Sequence, residues 1–179
     1  MKTRCGFVSN SSSSSFILSL VKKPETVEEM KEILFGDDEY YYDPYYDPSS
    51  SYFADRTEKY LALEVAQTVF DDLKDQTSMN EGKVAEELGS GWADIELDNG
   101  EVAPKYENFP KKGSTNDYDW EAYQKASDIF FKKAAKELIA ESKDKELYVV
   151  SYSDDCSYGC ALEHGTLFDR VDHFRISHH

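Results

Sequence analysis

The sequence predicts an α+β fold: a mainly antiparallel sheet built from both terminal regions and covered by about three to four helices. Three observations predict it. Apolar, β-prone pieces lie at the two ends, around Phe7-Val8, Phe16-Ile17-Leu18 and Leu147-Tyr148-Val149-Val150. The middle carries apolar residues at helical spacing, as in Leu61, Val65, Val69 and Leu73. Turn signals such as Asp98-Asn99-Gly100 separate the periodic segments. At 179 residues the chain is expected to form one domain, residues 1–179, with an acidic, tyrosine-rich insertion at about 37–55.

Taken in order, residues 3–9 and 14–21 are expected to be paired strands, with Ser11 to Ser15 as the tight connection between them. Short hydroxyl side chains bond local backbone readily, and successive N–H groups in a turn form an anion-binding nest. Ser11, Ser12, Ser13 and Ser14 are therefore candidate anion or ligand contacts. Pro24 ends the second strand, and Thr26-Val27-Glu28-Glu29 reads as the start of a helix running to about Phe35, where Gly36 stops it.

A second helix is expected from about Thr57 to Gln76, a third from Asn80 to Leu88, and a weak strand from Trp92 to Leu97. Residues 103–117 read as a polar loop. The longest helix spans about Tyr118 to Ser142, with Asp117 or Asp119 near its cap. Glu146 to Tyr152 is a strand, Ser153 to Gly159 a turn, and Cys160-Ala161-Leu162 the start of a returning strand. A short helix around Leu167-Phe168 and a last strand over His173 to His179 complete the reading.

Composition limits the function classes. The formal net charge of −16 disfavours direct binding to nucleic acid or anionic lipid and favours basic partners. No apolar run has spanning length. Serines from Ser9 onward interrupt any signal-peptide core, and three cysteines do not suggest a disulfide scaffold. A cytoplasmic location is expected.

Two groups of residues carry candidate chemistry. In the tract Asp37-Asp38-Glu39-Tyr40-Tyr41-Tyr42-Asp43-Pro44-Tyr45-Tyr46-Asp47-Pro48 the unit Tyr-Tyr-Asp-Pro occurs twice in succession. Its prolines bar a continuous helix. Carboxylates along such a backbone imitate phosphates, and tyrosine rings stack on arginine or anchor an interface. Asp37, Asp38, Glu39, Tyr41, Tyr42, Asp43, Tyr45, Tyr46 and Asp47 are the candidate partner-binding residues. The competing reading is a solvated acidic loop with a few tyrosines packed inward.

The second group is Asp154, Asp155, Glu163 and His164, whose carboxylates and imidazole suit a transition metal if the last strands bring them together. Hairpin-turn carboxylates and surface histidines are the favoured alternative. No Gly-Lys-Ser/Thr phosphate loop and no Gly-x-Ser-x-Gly elbow is present, so no catalytic residue is assigned and no cofactor is expected beyond that metal ion.

The opening Gly6-Phe7-Val8-Ser9-Asn10, the five serines and Phe16-Ile17 resemble the start of a group of bacterial and phage proteins that have no assigned activity. The segments Leu162-Glu163-His164-Gly165 and Arg175-Ile176-Ser177-His178-His179 resemble the end of the same group. The resemblance implies a phage or mobile-element setting. With the charge, it leads to an expected function as an acidic interaction module or inhibitor. An anti-defence, anti-CRISPR-like role is included, in which a nucleic-acid-like surface meets a basic partner. The alternative is a small metal- or anion-binding enzyme or ligand-binding domain that uses the serine segment and the C-terminal cluster.

Overall fold

The computed structural model describes residues 2–4, 13–42, 59–91, 93–112, 117–153, 158, 162–163 and 166–178. Its centre is β2, Ser13–Leu20, which lies between β6, Glu146–Ser153, and β7, His173–His178. Both pairings are antiparallel. Phe16 faces Val150 on one side and Arg175 on the other. The α+β class and the antiparallel sheet expected from the sequence are thus observed, with Ser13–Leu20 and the C-terminal strands in one sheet.

Strand alternation gives this sheet two apolar faces. Phe16, Leu18, Leu20, Tyr148, Val150 and Tyr152 face one cluster, packed against helices α1, Val27–Phe35, and α2, Ala62–Leu73. Ile17, Leu147, Phe174 and Ile176 face another, packed against α3, Glu81–Leu88, and α4, Trp120–Glu141. Two helices therefore cover each face, and β2 is buried over almost its whole length because it lies between both layers.

The helices start where short polar side chains cap them. Thr26 Oγ1 accepts from the Glu29 amide at 3.2 Å, Asn80 Oδ1 from Lys83 at 3.0 Å, and Asp119 Oδ1 from Ala122 at 3.0 Å. Gly36 ends α1 with φ +58°, a conformation that costs glycine nothing. Two small ribbons flank the sheet. β1, Lys2–Arg4, pairs with β5, Asp94–Glu96. β3, Tyr40–Tyr42, pairs with β4, Lys59–Leu61.

Several sequence expectations are corrected. Ser13, Ser14 and Ser15 are not part of a tight connection; they open the central strand, which agrees with the strand expected over 14–21 and starts one residue earlier. Lys2–Arg4 do not pair with that strand, since β5 takes them. Residues 5–12, including Ser11 and Ser12, lie outside the described residues. The helix expected from Thr57 starts only at Ala62, because Lys59–Leu61 are drawn into the ribbon with Tyr40–Tyr42. Leu162 and Glu163 form a helical turn, with the Leu162 amide donating to the Tyr158 carbonyl at 2.9 Å, where a returning strand was expected. Cys160 and Ala161 are not described.

Candidate interaction surface

The acidic tract leaves α1 at Gly36 and enters the ribbon. Asp37, Asp38 and Glu39 are exposed on the connection, whose turn is closed by the Asp38 amide donating to the Phe35 carbonyl at 3.1 Å. Alternation along β3 then sorts the three tyrosines. Tyr41 points inward and is 9% exposed. Its ring lies 5.6 Å from that of Phe35, and its hydroxyl is 2.5 Å from Thr166 Oγ1. Tyr42 points outward and is 60% exposed, while Tyr40 is half-buried. Among the described tyrosines of the tract, Tyr41 is the anchor and Tyr40 and Tyr42 present their rings.

Residues from β4 and the 166–170 turn complete the surface. Lys59 Nζ sits 4.0 Å above the Tyr40 ring, well inside the range at which a cation is drawn to an aromatic face. Arg170 Nη2 is 3.0 Å from Asp38 Oδ2. A cleft of about 230 Å³ lies between ribbon and turn, with Phe35 and Leu167 among its apolar walls and Asp38 and Asp169 on it. Tyr42 pairs with Lys59 across the ribbon. Segment 43–58, between them in sequence, lies outside the described residues, and with it Asp43, Tyr45, Tyr46 and Asp47. Behind the ribbon, Tyr60 meets Tyr158 edge-on at 4.9 Å. Burial, and then the nearby Glu64 carboxylate, push the Tyr158 phenol above its ordinary value.

The serine segment and C-terminus form a second polar group at one end of the main sheet. Ser14 is fully buried, and its hydroxyl accepts from Arg175 Nε at 3.1 Å and Nη2 at 3.0 Å. On the opposite face, Ser15 Oγ is 2.8 Å from Ser151 Oγ and 2.7 Å from His178 Nε2, and that nitrogen is 4.0 Å from Glu87 Oε1. These hydroxyls answer one another across strands, which removes the penalty for burying them. Ser14 is therefore engaged inside the protein and does not line an open nest. Ser13 is half-buried beside His178 and Ser153.

Of the candidate metal ligands, Glu163 is fully buried, and Asp154, Asp155 and His164 lie outside the described residues. Among the described residues, no group of three or more histidine, cysteine or acidic side chains is placed to hold a metal ion.

Sequence reasoning reached Asp37 to Tyr42 through composition. It missed Lys59, Thr166 and Arg170, whose roles come only from tertiary pairing, and it missed Arg175, Ser151 and Glu87. The one available signal was Lys59 itself, a cation just beyond the acidic tract. Among the described residues, no helix is long and apolar enough to cross a membrane. Comparison with protein-family models, curated proteins and solved structures finds no match for this chain.

Proposed function

We propose that this chain is an acidic interaction module that docks through the Asp37–Asp47 tract on a basic protein surface, acting in the cytoplasm as an inhibitor in a phage or mobile-element setting. The observation that carries this reading is local. On the connection leading into one ribbon, three exposed carboxylates precede a tyrosine ring that already holds an ammonium group at 4.0 Å. Such a surface attracts a basic partner by long-range charge and then seats its cations on rings and carboxylates. The net charge of −16 supports the same direction. A nucleic-acid-binding defence protein is the target class that suits a phosphate-like acidic display, since its binding groove is basic.

The test is affinity capture from the host at low and high salt, using the parent and a variant in which Asp37, Asp38, Asp43 and Asp47 become Asn and Glu39 becomes Gln. A partner held by the parent at low salt, weakened by salt and lost by the variant is expected. Equal binding by both proteins at both salt concentrations overturns the proposal.

A further inference from the structure

We infer that the cleft between the β3–β4 ribbon and the 166–170 turn is a receptor for one guanidinium or ammonium side chain of the partner, and that Arg170 and Lys59 mask its acceptor groups in the free chain. This deepens the proposed docking and rests on it.

The cleft, about 230 Å³, has the two kinds of wall that a long cationic side chain needs. The exposed ring of Tyr42 and the half-buried ring of Tyr40 offer a face to the methylene stem above a floor of buried Leu34 and Phe35, while Asp38 and Asp169 offer carboxylates to the charged head. Two cations of the chain itself already use these groups. Lys59 lies over Tyr40 at 4.0 Å, and Arg170 pairs with Asp38 at 3.0 Å. Arg170 reaches that position by passing over Gly36, with Nη1 in the space that an added Cβ there would need. The missing side chain at the end of α1 therefore makes room for the masking guanidinium.

The mask is weak by construction. Arg170 and Asp38 are 51% and 61% exposed, and an ion pair in that setting contributes little in water. An incoming arginine that gains apolar contact in the cleft displaces it at small cost. The resident pair holds Asp38 in place meanwhile and disfavours partners too weakly basic to compete.

The experiment measures binding of an amide-capped hexa-arginine peptide by fluorescence anisotropy at two salt concentrations. Arg170→Gln is expected to bind about two- to fivefold more tightly than the parent. In an Asp38→Asn background the same substitution is expected to give no gain, because the masked acceptor is gone. Lys136→Gln, the same change of charge on α4 across the sheet, controls for net charge.

A gain in Arg170→Gln that Lys136→Gln matches, or that persists without Asp38, overturns the mask. Unchanged peptide binding in Asp38→Asn combined with Tyr40→Ala overturns the receptor, as does failure of the parent and Arg170→Gln to bind. None of these results depends on the captured partner, whose response to the five amide substitutions judges the docking proposal separately. Melting temperatures of all variants check the fold.

Discussion

The three-stranded sheet and the β3–β4 ribbon are both antiparallel, yet they are held in different ways. The sheet is covered on both faces, and its central strand contributes Phe16, Ile17 and Leu18, each no more than 1% exposed. The ribbon has three residues per strand and one inward side chain on β3, Tyr41. An isolated two-stranded pair is marginal in water, so the ribbon depends on the contacts of Tyr41 with Phe35 and Thr166. The difference teaches where the molecule keeps its stability and where it keeps surface for recognition. Substitutions in the sheet should change folding first, and those in the ribbon should change binding first.

The largest break should come from Phe16→Ala. The ring is fully buried, 4.9 Å from Phe168 and 6.4 Å from Tyr152. A loss of about 3–5 kcal/mol is expected in denaturant unfolding. A loss below about 1 kcal/mol would mean that the sheet is not the stable part.

Ser14→Ala tests the polar end of the same strand. It strands the Arg175 guanidinium, whose Nε and Nη2 both donate to Ser14 Oγ. An expected cost of about 1–3 kcal/mol follows from leaving a partly buried cation without that acceptor. The double variant with Arg175→Met should recover part of it, and no recovery would show that the pair is incidental.

Tyr41→Phe keeps the ring and removes only the hydroxyl that meets Thr166. About 0.5–1.5 kcal/mol is expected, with slowed amide exchange in Tyr40–Tyr42 lost before exchange in Ser13–Leu20 changes. Simultaneous loss in both would make ribbon and sheet one cooperative unit.

At neutral pH the smallest effect belongs to Tyr148, in the sheet. Burial, then its bond to Glu146 at 2.6 Å, raises its pKa to about 12. The folded state holds this proton more tightly than an unfolded tyrosine, whose pKa is about 10. The stabilisation is therefore complete below about pH 10 and is lost as pH rises towards about 12. A Tyr148→Phe variant should show a flatter decline in melting temperature over that window. An unchanged slope would assign the alkaline sensitivity elsewhere.

The fold is legible in the sequence where local chemistry decides it. Thr26, Asn80 and Asp119 announce three helix starts, and all three make capping bonds. Leu147, Val150 and Tyr152 mark β6 by β-propensity and apolar character. What escaped local reading depends on distant partners. Ser14 and Ser15 fall in the strand read over 14–21, but their burial at the centre of the sheet makes sense only once Arg175 supplies a partner for the Ser14 hydroxyl and Ser151 and His178 for that of Ser15, the last of these 163 positions away. β4 escaped for a similar reason: Lys59-Tyr60-Leu61 adjoin a helical stripe and become a strand only beside Tyr40–Tyr42. The candidate surface divides the same way. Its acids and rings stand out as composition, whereas the cations that complete it arrive from β4 and from the turn before β7.

The central position of β2 also sets an order of events during synthesis. Both strands that flank Ser13–Leu20 come from residues 146–178. At ribosomal speeds of about 5–20 residues per second, the strand waits roughly ten seconds for its first partner. During that interval Phe16, Ile17 and Leu18 belong to a nascent chain with two open edges, while α1, α2 and α3 are already available to form. Such a delay favours chaperone engagement and slow closure of the sheet. Ribosome-stalled chains ending before residue 146 should expose this strand to protease, and release of the finished chain should protect it.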